Sequence, residues 1–189
     1  NWLHGICHII HRDLKPANIL VNESMHAKVT DFGFSELLRE GDRHVDTVGA
    51  NGTMLYMAPE VMLFQAFDNS VDIYAFGLIL YELVTECDLF AQYTTVEALV
   101  DAVARRRQRP SLNLSGVPRS LIDLINRCWQ HNPRLRPKCP EVIDELDRAA
   151  IDVITSPEYS STTVAVVTPS LPPFVPPPTT TATAAPPET

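Results

Sequence analysis

Apolar residues recur along this chain at two different periods. Ile19-Leu20-Val21 and Ala27-Lys28-Val29-Thr30 are short, β-rich runs separated by a polar stretch from Asn22 to His26. Two such runs around a polar turn predict a small hairpin. Val71 to Thr85 is apolar on nearly every side, which predicts a buried helix rather than an amphipathic one. Three further stretches carry a single apolar stripe at helical spacing. They are Val96, Leu99, Val100 and Val103; Leu121, Leu124, Ile125, Cys128 and Trp129; and Val142, Ile143, Leu146, Ala149 and Ala150. Pro110, Pro118 and the run from Pro133 to Pro140 punctuate the gaps between them. The expected architecture is α+β, a mainly helical lobe with a small hairpin on one side. No internal repeat is visible.

The pattern stops near Ile154. Beyond it come Ser, Thr, Ala and Pro with almost no charge, and nine of the sixteen prolines fall between Pro157 and Pro187. Such a segment cannot bury enough apolar surface to offset its ordering entropy, so residues 151–189 are expected to be a disordered tail after a folded unit of residues 1–150. Leu171 to Pro178 should sample polyproline II.

Charge and cysteine content narrow the picture further. A net charge of −8 argues against nucleic acid and anionic membrane as main partners. No run of eighteen apolar residues predicts a transmembrane helix, and no secretory signal opens the sequence. Cys7, Cys87, Cys128 and Cys139 form no C-x-x-C pair and no zinc-ligand spacing, which favours reduced thiols over a disulfide framework. A cytoplasmic location is the default that follows.

Three motifs stand in a fixed order. His11-Arg12-Asp13-Leu14-Lys15-Pro16-Ala17-Asn18 fits H-R-D-L-x-x-x-N. Asp31-Phe32-Gly33 begins thirteen residues after Asn18, and Ala58-Pro59-Glu60 begins twenty-five residues after Gly33. D-F-G alone would be a weak signal, but the three motifs in this order are specific. Over residues 1 to about 150 the chain resembles the eukaryotic protein kinase family, and in particular the carboxy-terminal lobe of its fold.

The resemblance implies a chemistry with ATP and Mg2+ as cofactors. Phosphoryl transfer asks a protein mainly for positioning and charge stabilisation. Asp13 matches the base that orients the acceptor hydroxyl and takes its proton. Asp31 matches the main magnesium ligand and Asn18 the second, both offering the oxygen donors that magnesium prefers. Lys15 would place a positive charge near the transferred γ-phosphate. Thr53, in Gly52-Thr53-Met54-Leu55-Tyr56-Met57-Ala58-Pro59-Glu60, matches the threonine that bonds the catalytic aspartate and lysine. Lys15 and Thr53 together favour a serine or threonine acceptor on a protein substrate. Cys128-Trp129 ahead of Pro133 and Arg136-Pro137 resembles an ending shared by tyrosine kinases and tyrosine-kinase-like serine/threonine kinases, and Lys15 points to the second group.

Other positions match structural or regulatory marks. His11 and Phe32 are expected to stack in a hydrophobic column. Glu60 and Arg136 match a buried ion pair, and Asp72 matches an aspartate that anchors the catalytic-loop backbone. Arg12 matches an arginine that pairs with a phosphate on the activation loop, here Phe34 to about Asn51. Thr47 is the best-placed acceptor and Ser35 a weaker one, with an unmodified loop as the equal alternative. Asp42 and Asp46 could already offer negative charge. His4, His8, His26, His44 and His131 show no partner pattern and read as surface or packing residues.

Some family parts are missing from the sequence. There is no glycine-rich loop, no V-A-I-K lysine and no helix glutamate, the parts of the amino-terminal lobe that cover the nucleotide. The expectation is therefore a fragment, without that lobe, having little activity alone. The alternative is a silent, pseudokinase-like or regulatory scaffold, although none of the four chemistry-bearing positions is lost. In the tail, Pro173-Phe174-Val175-Pro176 is a minimal ligand for SH3- or WW-like domains, and Ser156-Pro157 and Thr168-Pro169 are proline-directed sites. A passive linker is the favoured reading of such biased composition.

Overall fold

The structure is a computed structural model, and it describes residues 1–37 and 54–155. Thr47, Thr53 and residues 156–189 lie outside the described residues, as do Asp42 and Asp46. Along the chain come α1 (Trp2–Gly5), β1 (Ile9–Ile10), β2 (Ile19–Val21), β3 (Ala27–Val29), β4 (Glu36–Leu37), α2 (Pro59–Met62), α3 (Ser70–Thr85), α4 (Val96–Val100), α5 (Arg119–Cys128) and α6 (Cys139–Thr155). The architecture is mainly helical with two small antiparallel sheets, as in the carboxy-terminal lobe of a protein kinase.

The sheets are β1 with β4 and β2 with β3. In the second, Ile19 faces Val29, Leu20 faces Lys28 and Val21 faces Ala27. Asn22 closes the turn, since its side-chain oxygen accepts from the backbone N–H of Ser24 at 3.1 Å and of His26 at 2.8 Å. An Asn that bonds its own turn in this way explains why the chain reverses here. The pairing of β1 with β4 had no sequence signal, because two-residue strands are too short to show a period.

Helix α3 runs through the centre. Val71, Tyr74, Leu78 and Tyr81 join a core with Leu99, Val103, Ile125 and Trp129, while Ile73 packs with Leu124, Cys128 and Val142. A helix apolar on most sides needs partners on most sides, and α3 has them. Gly77 sets its distance to α5. A Cβ there would meet the Cβ of Cys128 at 2.6 Å, so only glycine permits this close approach. Helix α4 starts on Thr95, whose hydroxyl accepts from the Ala98 N–H at 3.2 Å.

Two expected stripes differ in detail. Val96 begins its stripe but is exposed, and the chain after α4 continues as a π-helical turn over Asp101–Arg105. The wider turn rotates Ala102, Val103 and Ala104 inward, a change of period that a 3.6-residue pattern does not show. On α6, Val142 and Ala149 are buried, whereas Ile143 and Ala150 are exposed. Ile143 stands at the rim of an apolar groove of about 290 Å³ with Leu14, Val29 and Phe76. The apolar arc of α6 is wider than the surface that covers it. No helix among the described residues is long and apolar enough to cross a membrane.

Candidate active site

The loop from His11 to Asn18 takes its shape from Asp72. This aspartate sits in the first turn of α3 and is almost wholly buried. Its Oδ2 accepts from the backbone N–H of His11 at 2.8 Å, and its Oδ1 from that of Arg12 at 2.9 Å. Arg12 has a left-handed backbone, φ 68°. A non-glycine residue in that region costs on the order of 1–3 kcal/mol, and the two charge-assisted bonds offset it. His11 is fully buried beneath the loop. Its Nε2–H donates to the Thr30 carbonyl at 2.9 Å, and its ring meets that of Phe32 edge-on with centroids 5.0 Å apart.

Asp13 follows, 4% exposed. Lys15 Nζ donates to its Oδ2 at 2.7 Å. Asn18 Nδ2 donates to the Asp13 carbonyl at 2.8 Å and to Oδ2 at 3.0 Å. Asn18 is held for this by the 3-10 turn Pro16–Asn18, which leads straight into β2. Two of the residues singled out in the sequence, Lys15 and Asn18, thus converge on one carboxylate oxygen of a third, Asp13. A buried carboxylate needs such partners to remain charged.

Asp31 reaches the same loop through its neighbour. Thr30 donates its N–H to the Asn18 carbonyl at 2.9 Å and accepts from His11, so it ties both ends of the loop together. Asp31 comes next in the chain, exposed and left-handed at φ 62°. Its Oδ1 has a weak 3.4 Å bond from the Gly33 N–H. An exposed carboxylate, one residue from a backbone bond to Asn18, fits magnesium, which uses one or two protein oxygens and completes its shell with water and phosphate. Both Asn18 Nδ2 bonds point at Asp13, so its Oδ1 is turned away from it. Among the described residues, no group of three His, Cys, Asp or Glu side chains forms a metal cage by itself.

The outlying positions are placed as follows. Arg12 pairs with Glu36 of β4 and lies over the Phe67 ring, 5.0 Å from its centroid. Arg136 forms a two-pronged bond to Glu60, 2.6 Å from Nη1 to Oε1 and 2.8 Å from Nη2 to Oε2. It also donates to the carbonyls of Gln130 and Ser70 and lies over the Tyr74 ring. Tyr56 donates its hydroxyl to Glu82 at 2.7 Å. Burial and that carboxylate push the Tyr56 pKa up.

Two participants had no signal in the sequence. Glu36 occupies the guanidinium that an activation-loop phosphate was expected to meet. His4, read as an ordinary histidine, bonds Asp72 Oδ2 through Nε2 at 2.7 Å. Their sequence separations of 24 and 68 residues from those partners hide both contacts from any local pattern.

Comparison with known proteins identifies the family. The model of the protein kinase domain matches residues 1–146. The dual specificity protein kinase shkE of Dictyostelium discoideum is 44% identical over 156 residues, which is 82% of this chain and 22% of that protein. Dual specificity protein kinase shkA of the same organism is 38% identical over 162 residues, 85% of this chain and 31% of its own length. The serine/threonine/tyrosine-protein kinase HT1 of Arabidopsis thaliana is 40% identical over 140 residues, 74% of this chain and 35% of its own length. The chain thus spans between about a fifth and a third of these curated relatives. With its family model matching residues 1–146 of 189, the chain belongs to the protein kinase domain family.

Proposed function

We propose that this chain carries the catalytic loop and acceptor-binding half of a protein kinase, which transfers the γ-phosphate of ATP to a serine or threonine hydroxyl of a protein. One observation carries the reading: the buried Asp13 carboxylate is held between the Lys15 ammonium and the Asn18 amide. In the reaction the acceptor oxygen bonds to the γ-phosphorus, the bond to the bridging oxygen breaks, and ADP departs. Asp13 orients the hydroxyl and receives its proton. Lys15, 2.7 Å from that carboxylate, is close enough to carry positive charge onto the moving phosphoryl group. Asp31 and Asn18 are the residues that would hold magnesium. The ion, when bound with nucleotide, neutralises charge on the phosphate oxygens. His11 and Asp72 touch no reacting atom in this scheme, and they fix the loop from below.

The serine/threonine preference rests on Lys15 and on the family pattern around Thr53. Relatives named as dual specificity kinases make tyrosine the competing acceptor. The test is phosphoamino-acid analysis of a mixed protein substrate labelled by the parent protein. Phosphoserine and phosphothreonine alone support the reading, and phosphotyrosine at a comparable level overturns the restriction. The 189-residue chain by itself, having no glycine-rich loop in its sequence, is expected to give little transfer. A silent scaffold is favoured by no side chain at positions 13, 15, 18 or 31.

A further inference from the structure

Cys139, His4 and Asp72 come from three separate elements and meet in one line. Cys139 opens α6, His4 lies in α1, and Asp72 stands in the first turn of α3. His4 Nδ1 is 3.3 Å from Cys139 Sγ, and His4 Nε2 is 2.7 Å from Asp72 Oδ2. A nucleophile, a base within hydrogen-bond reach and a third group that orients the base form the arrangement that activates thiols. The orienting group is firmly set, because Asp72 is also bonded by the backbone of His11 and Arg12. A carboxylate can only accept, so His4 presents Nε2–H to Asp72 and turns Nδ1 to the sulfur.

The electrostatics point the same way. Burial by itself would lower the His4 pKa, but the hydrogen bonds to Asp72 and then Cys139 outweigh it and hold the ring at about 9. An imidazolium against the sulfur favours thiolate. Burial opposes this at Cys139, yet the His4 contacts, with the α-ammonium of Asn1 adding to them, prevail and the thiol falls below its usual range. The position at the start of a seventeen-residue helix adds the positive end of its dipole. Cys128, by contrast, is buried and pushed up to about 12 by desolvation. Among the described residues, Cys139 alone of the four thiols has a histidine within hydrogen-bond distance. It is half-buried and lines a cleft of about 450 Å³ with His4, Asp68, Ile73, Arg136 and Lys138. That volume admits a small oxidant many times over, since a water molecule takes about 30 Å³.

We propose that Cys139 is an oxidant-reactive thiol, activated by His4 and Asp72, which hydrogen peroxide converts to a sulfenic acid. The thiolate attacks one peroxide oxygen. A sulfur–oxygen bond forms as the oxygen–oxygen bond breaks, and the sulfur gives up two electrons. The departing hydroxide takes the proton from His4 Nδ1 and leaves as water. The site shares Asp72 with the loop, but Cys139 and His4 lie apart from the proposed phosphotransfer residues and the test needs no kinase activity.

The 189-residue chain is treated with hydrogen peroxide at pH 7 in the presence of a cyclic 1,3-diketone that traps sulfenic acids. Labelling at each cysteine is then followed by peptide mass spectrometry. Cys139 should label roughly tenfold faster than the exposed Cys87, as expected of a thiolate beside a cation. His4→Gln should bring Cys139 down to the Cys87 rate while leaving Cys87 unchanged. Labelling of Cys139 no faster than Cys87 in the unaltered chain overturns the proposal, and so does an undiminished rate in a folded His4→Gln variant. Circular dichroism checks that fold, and if the variant unfolds, the ratio in the unaltered chain decides alone.

Discussion

Tyr74, Leu78 and Trp129 are at most 2% exposed, whereas Leu20, Val21 and Met25 in and beside the hairpin are all more than half exposed. The first group belongs to the helical core around α3, the second to the region that holds the proposed catalytic loop. The core is held by area removed from water and by the buried Arg136–Glu60 ion pair. The loop region has little apolar cover, and four non-glycine residues between His8 and Asp31 have left-handed backbone. It keeps its shape through polar bonds to a few fixed points: Asp72 below the loop, Thr30 across it and Asn18 within it. The contrast teaches where each kind of damage should show. Mutations in the core should unfold the protein, and mutations at the polar anchors should disable it first.

The sharpest break of this contrast lies in the core. Arg136→Ala takes the guanidinium from the buried Glu60 carboxylate and removes one of the two guanidinium groups, with that of Arg109, that lie over the Tyr74 ring. Removing one partner of a buried pair costs about 3–5 kcal/mol, and urea denaturation of the 189-residue chain should show a loss of that size. Next in size is Asp72→Asn, which retains the volume but replaces one acceptor oxygen by a donor. Bonds to His11, Arg12 and His4 are disturbed together, and a loss of about 1–3 kcal/mol follows from their charge-assisted character. In the parent protein this variant should lose more phosphotransfer rate than its remaining folded fraction explains, measured side by side with circular dichroism. The smallest effect is expected at Leu20→Thr on the hairpin. Leu20 is 58% exposed, so the change should stay within about 0.5 kcal/mol by the same denaturation. A large loss there would show that the hairpin is part of the core after all.

Much of this division was legible in the sequence, for physical reasons that can be named. The hairpin was readable because β-branched runs flank an Asn-led turn. Helix α3 was readable because a helix with no polar face has to be central. The proposed catalytic loop was readable because phosphoryl transfer needs particular side chains at close spacing, and Asp13, Lys15 and Asn18 lie within six residues of one another. Contacts that bridge distant segments were not readable. His4 finds Cys139 across 135 residues, and Glu36 finds Arg12 through a strand pair only two residues long. Nor did the helical period reveal the π turn after α4, which moves Val103 inward while Val96 stays exposed.

The central claim is that the Asp13 carboxylate, fixed by Lys15 and Asn18, serves the acceptor hydroxyl in phosphoryl transfer. It is tested most directly by following transfer of labelled phosphate from ATP to protein by the parent protein, unaltered and as Asp13→Asn, with thermal unfolding of both. The account predicts a rate lower by roughly 10²–10⁴-fold with the melting transition still cooperative. An Asp13→Asn protein that phosphorylates its substrate at the unaltered rate would contradict it.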